Sequence, residues 1–87
     1  MTEAEEIASA IKHLVPEAEC LALGCIASAS LRGRAAHVYP PIMWSREPRG
    51  RRVFLHGPRG LMGDHDGLSA FLAIQMAARW LLEAASA

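Results

Sequence analysis

Aromatic residues are few in this 87-residue chain, cysteines number two, and formal charge sums to zero. No apolar run reaches the ~20 residues that a bilayer-spanning helix needs. The first six residues, Met1-Thr2-Glu3-Ala4-Glu5-Glu6, are acidic where a secretory leader is basic, so the sequence predicts a cytoplasmic protein. Cys20 and Cys25 fall in one apolar stretch. If that stretch is a single strand they point to opposite faces, which excludes a disulfide between them and predicts buried free thiols. Scarce aromatics do not signal disorder here, because 52% of positions are apolar. A chain of this length makes one domain, residues 1–87, and buries roughly 60–65% of the surface its unfolded form exposes.

Recognisable chemistry is also missing. His56, Asp64, His65 and Asp66 lie close in sequence but without a metal-ligand spacing, and adjacent residues rarely converge on one ion. Helix capping accounts for both aspartates, so no metal site is expected. A cysteine nucleophile needs a histidine and an oxyanion donor beside it, whereas Cys20 and Cys25 lie where packing is the usual role. The glycine-rich segment 57–63 precedes a helical pattern but lacks the lysine and hydroxyl of a phosphate loop, and aspartates at the helix start repel phosphate. The expectation is a protein that is not an enzyme and takes no cofactor.

What is present is patterned. Thr2 and Glu5 form a capping box, and Ile7, Ala8, Ala10, Ile11, Leu14 and Val15 recur at helical spacing until Pro16. Residues 20–31 are read as a strand because Gly24 and the serines weaken a helix; a second helix from Pro16 to near Gly33 is the alternative. Arg32-Gly33 is a two-residue hairpin turn into a strand at 35–39. Pro40-Pro41 confines that strand to an edge or divides it, with Ile42-Met43-Trp44 as a second piece. Residues 46–50 form a turn and 52–56 a third strand, after which 57–63 reads as loop.

With Asp64 or Asp66 as N-cap, residues 68–85 form a helix in which fourteen of eighteen positions are apolar. Its polar residues beyond Ser69 are Gln75, Arg79 and Glu83, at i, i+4 and i+8, a single narrow stripe. The fold predicted is α+β, an α-β-β-β-α two-layer sandwich with a three-stranded antiparallel sheet and two helices on one face.

A helix lying on a sheet is apolar over a third to a half of its circumference, and this one exceeds that. The surplus, assigned to Leu68, Leu72, Met76 and Trp80, predicts a binding face for a partner protein or a second copy of the chain. Charge supplies the second reading. Residues 1–19 hold five glutamates and one lysine, whereas residues 32–59 hold seven arginines and one glutamate. Arg46, Arg49, Arg51, Arg52 and Arg59 are therefore candidates for an anionic partner such as nucleic acid, with Tyr39, Trp44 or Phe54 available to stack on bases.

Two resemblances bear on this choice. The α-β-β-β-α order is similar to that of double-stranded-RNA-binding domains, but those carry a lysine cluster where this chain has Gly63-Asp64-His65-Asp66-Gly67. Residues 66–78, a Gly-containing turn leading into an Ala-rich helix, resemble the end of the sheet in small phage and mobile-element proteins of the anti-CRISPR type. That likeness covers about a quarter of the chain and implies a non-enzymatic inhibitor that binds a host complex.

Overall fold

The computed structural model describes residues 1–41 and 50–85. Helix α1 (Glu3–Leu14) opens with the expected capping box: the Glu5 amide donates to Oγ1 of Thr2, and the Thr2 amide donates to the Glu5 carboxylate. Two strands follow, β1 (Glu19–Leu23) and β2 (Ile26–Leu31), then β3 (Arg34–Tyr39), β4 (Arg51–Gly57) and β5 (Gly60–Leu68), and helix α2 (Ala70–Ala85) completes the fold. The strands form one antiparallel sheet in the order β1-β2-β3-β4-β5. Helix α1 lies over β1 and β2. Helix α2 lies over β3 and β4, touches α1, and reaches only the margin of β5.

The chain is α+β with a helix at each end, as expected, but the sheet has five strands rather than three. The first error falls in residues 20–31, read as one strand. Leu23 pairs with Ile26, and Gly24 sits at φ +60°, so Gly24-Cys25 is a hairpin turn and not a flaw within a strand. The cysteines therefore occupy a strand and a turn. Both are free, but only Cys20 is half-buried, its thiol pushed up by burial against a small opposing pull from Lys12; Cys25 is exposed.

The second error is at residues 60–68, read as loop and helix start. Three glycines and two aspartates argue against a strand, yet β5 pairs with β4 across two register shifts, Gly57 opposite Gly60 at one end and Arg51 opposite Leu68 at the other. Asp64 and Asp66 consequently cap nothing. The α2 N-cap role belongs to Ser69, whose hydroxyl accepts from the Leu72 amide at 3.2 Å.

The Arg32-Gly33 turn is as read, both residues at positive φ (49° and 83°), the mirror-image geometry that matches strand twist. Strand β3 ends immediately before Pro40, whose missing amide cannot extend the ladder. The second strand piece, Ile42-Met43-Trp44, and the turn at 46–49 lie outside the described residues.

The core sits between helices and sheet and is built largely of small residues. Ala27, Ala29, Ala36, Val38, Val53 and Leu55 face inward from the sheet, met by Ala4, Ile7, Ala8 and Ile11 of α1 and Ala73, Ala77, Ala78 and Leu81 of α2. The largest fully buried side chains are Ile11, Leu81, Val38 and Val53. The side of the sheet away from the helices carries no covering layer among the described residues.

Candidate functional site

On α2, Ala73, Ala77, Ala78, Leu81 and Ala84 are buried, Ile74, Met76 and Trp80 are half-buried against the core, and three large apolar side chains are left outside. Phe71 is 68% exposed, Leu72 53% and Leu82 47%. The polar stripe Gln75-Arg79-Glu83 runs down the middle of this outward face. On its β5 side lies an open groove of about 540 Å³, lined by Leu55, Leu68, Leu72, Met76 and Trp80 beneath the polar stripe. On its α1 side a shallower depression of about 390 Å³ is bounded by Leu14, Ala78 and Leu82. All four apolar residues singled out in the sequence thus line one groove. Leu68 contributes from the end of β5, the other three from α2.

The groove exists because the sheet is wider than the helix layer. A fifth strand extends beyond α2, and Leu55 of β4 and Trp80 of α2 line the space between them. That indole is held firmly. Its Nε1–H donates to the His56 carbonyl at 3.1 Å, and the Arg34 guanidinium stacks on its ring with 4.0 Å to the centroid. Arg34 also donates to the Trp80 carbonyl and to Glu83, both at 3.1 Å.

Sequence reasoning missed Phe71 and Leu82. Phe71 precedes Gln75 by four residues, so extending the polar stripe one turn toward the amino terminus would have placed it on the outward face. Leu82 flanks Arg79 at i+3 and was open to the same inference.

The arginines do not converge. Arg51 points to the helix side and pairs with Glu3, while the next residue, Arg52, projects from the opposite face. Arg52 donates to both carboxylate oxygens of Asp64, at 2.8 and 2.7 Å, and lies over the Phe54 ring at 4.8 Å. Its hydrogen bonds hold the Asp64 carboxyl below its ordinary value. Arg32 pairs with Glu17, and Arg34 with Glu83. Arg59 is exposed in the turn between β4 and β5. Arg46, Arg49 and Trp44 lie outside the described residues.

On the open sheet face Tyr39 and Phe54 meet edge to face at 5.2 Å, and His37 and His56 do so at 5.3 Å. The Ser28 hydroxyl is hydrogen-bonded to Nδ1 of His37 at 2.9 Å. Burial, with a smaller contribution from His56, lowers the His37 pKa below the ordinary histidine value.

No helix among the described residues is long and apolar enough to cross a membrane. Comparison with protein-family models, with curated proteins and with solved structures returns no match, so the fold and these surfaces are what bear on function.

Proposed function

We propose that this chain is a non-enzymatic protein-interaction module that works through the outward face of α2, and that the first occupant of that face is a second copy of the chain. One observation carries the reading: α2 fills most of its buried positions with alanine while three of its large apolar side chains stand exposed. Ala73, Ala77, Ala78 and Ala84 are buried while Phe71, Leu72 and Leu82 are exposed. A helix whose hydrophobicity served only its own core would have the reverse distribution, because each large aliphatic or aromatic side chain gains about 1.5–3 kcal/mol on burial and alanine gains little.

A second copy fits because the face is self-complementary. Arg79 and Glu83 lie one turn apart with opposite charge at the centre of an apolar surface. Two α2 helices packed antiparallel about a twofold axis bring Arg79 of each copy beside Glu83 of the other, which also accepts from Arg34 of its own chain, with Leu72, Met76 and Leu82 around them. Arg79 has no ion pair within the described residues. The scattering of the described arginines over opposite faces, four of them already paired with carboxylates, ranks an anionic partner second. A module of this kind acts by occlusion or scaffolding of its partner.

Sedimentation equilibrium over roughly 1–100 μM tests the proposal. The expected species is twice the 9.4 kDa chain mass, and Leu72→Asp should yield a monomer with unchanged circular dichroism. A wild-type monomer at 100 μM would overturn it, as would a Leu72→Asp protein that remains dimeric.

A further inference from the structure

The open face of the sheet, opposite the proposed interface, carries a feature unrelated to association. His37 of β3 and His56 of β4 are diagonal neighbours: Ala35 stands opposite His56 and His37 opposite Phe54. Both rings rise from the same face and both are half-buried, with centroids 5.3 Å apart. Two imidazoles bound to one tetrahedral ion through bonds of about 2.0–2.1 Å have ring centres roughly 5 Å apart, so the observed separation already matches that of paired ligands.

We infer that His37 and His56 form a binding site for a divalent transition-metal ion of the imidazole-preferring class, Zn²⁺, Cu²⁺ or Ni²⁺. Ser28 is the positioning residue. In the tautomer that binds metal, Nδ1–H of His37 donates to the Ser28 hydroxyl oxygen, leaving the Nε2 lone pair for the ion. This is the outer contact that ligating histidines usually make. Ser28 is itself buried on β2, walled in by its cross-strand neighbours, so its hydroxyl is held in place. The His56 strand is anchored independently by the hydrogen bond from Trp80 Nε1 to the His56 carbonyl. No third histidine, cysteine or carboxylate joins the pair among the described residues, so water completes the coordination.

The exposed Cys25 thiol and the histidines at 13 and 65 can also take up metal, so the test must report on individual rings. Zinc chloride is titrated into the full chain, stripped with chelator and then freed of it, at pH 7.5. Imidazole proton–carbon NMR correlations of the four histidines are followed alongside calorimetry. The expected result is that the His37 and His56 resonances move together and saturate with one shared dissociation constant, while His13 and His65 move less or later. His37→Gln and His56→Gln should each weaken that constant at least tenfold, and Ser28→Ala should weaken it severalfold while leaving the sheet's NMR spectrum intact. The inference fails if the two rings do not shift up to millimolar zinc. It also fails if they shift independently with different constants, or if the double variant His37→Gln/His56→Gln binds zinc as tightly as the wild type.

Discussion

Replacing Leu81 with alanine tests whether the core is as sparse in large side chains as the structure has it. Leu81 is fully buried, and the other buried residues of its helix are all alanines, at positions 73, 77, 78 and 84. A buried Leu→Ala substitution costs about 2.7–5.0 kcal/mol, the larger values belonging to sites that cannot collapse into the void. Alanines have no side chain to swing inward, so the cost should fall in the upper half of that range, about 4 kcal/mol. A domain of this length has roughly 4–13 kcal/mol of total stability, so the loss is a large share of it.

At ~4–8 °C per kcal/mol, thermal unfolding followed by circular dichroism should shift down by roughly 15–30 °C. Association must be held constant, so both proteins are compared at one sub-micromolar concentration. Leu82→Ala, one residue along and half-exposed, serves as the control and should cost less than ~1.5 kcal/mol. Equal losses for the two variants would refute the inward-outward division of α2 on which the proposed interface rests.

Other perturbations probe the turns and the open face. Gly50 has φ +73°, and a Cβ there would meet the Leu68 carbonyl oxygen at 2.7 Å and Gly67 backbone at 2.9 Å. Gly50→Ala should therefore destabilise by more than ~2 kcal/mol in urea unfolding. Gly24→Ala, at φ +60° with open space around it, should cost only about 1 kcal/mol, the strain of the left-handed conformation alone. The Arg52 hydrogen bonds depress the Asp64 pKa in the folded state. The contribution is therefore complete above the unfolded carboxylate value of about 3.9 and is lost as pH falls through the folded pKa. Urea unfolding of wild type and Asp64→Asn should differ at pH 7 and converge as the solution becomes strongly acidic; a difference that persists unchanged at low pH would contradict the pairing.

The helices were legible because each carries its own signal. Thr2, Glu5 and Pro16 bracket α1, and fourteen apolar residues with a polar stripe mark α2. The hairpin turn at Arg32-Gly33 was legible through Gly33, whose φ of +83° is one that glycine adopts without strain. The strands that were missed have their signal elsewhere. Gly24 looks the same in sequence whether it interrupts an element or turns it, and only Leu23 pairing with Ile26 decides between the two. β5, with Gly60, Gly63 and Gly67 among its nine residues, has no strand propensity of its own. It is a strand because β4 offers a free edge beside it, a tertiary cause that periodicity does not register.

The two surfaces differ in legibility by the same logic. The outward face of α2 follows from spacing within one helix, which is why Leu72, Met76 and Trp80 could be named from sequence and why Phe71 could have been. The groove beside it could not be foreseen, because its lining also takes in Leu55 of β4 and Leu68 at the end of the unforeseen fifth strand. The histidine pair lies further still from the sequence. His37 and His56 are nineteen residues apart across a segment rich in proline and arginine. They become neighbours only in the register that sets Ala35 opposite His56, and a slip of one residue would send one imidazole into the core. That register is held by the inward rows, Val38 against Val53 and Ala36 against Leu55. Packing on the helix side thus fixes which side chains meet on the open side, and the geometry of the exposed histidines is a consequence of the alanine-rich core beneath them.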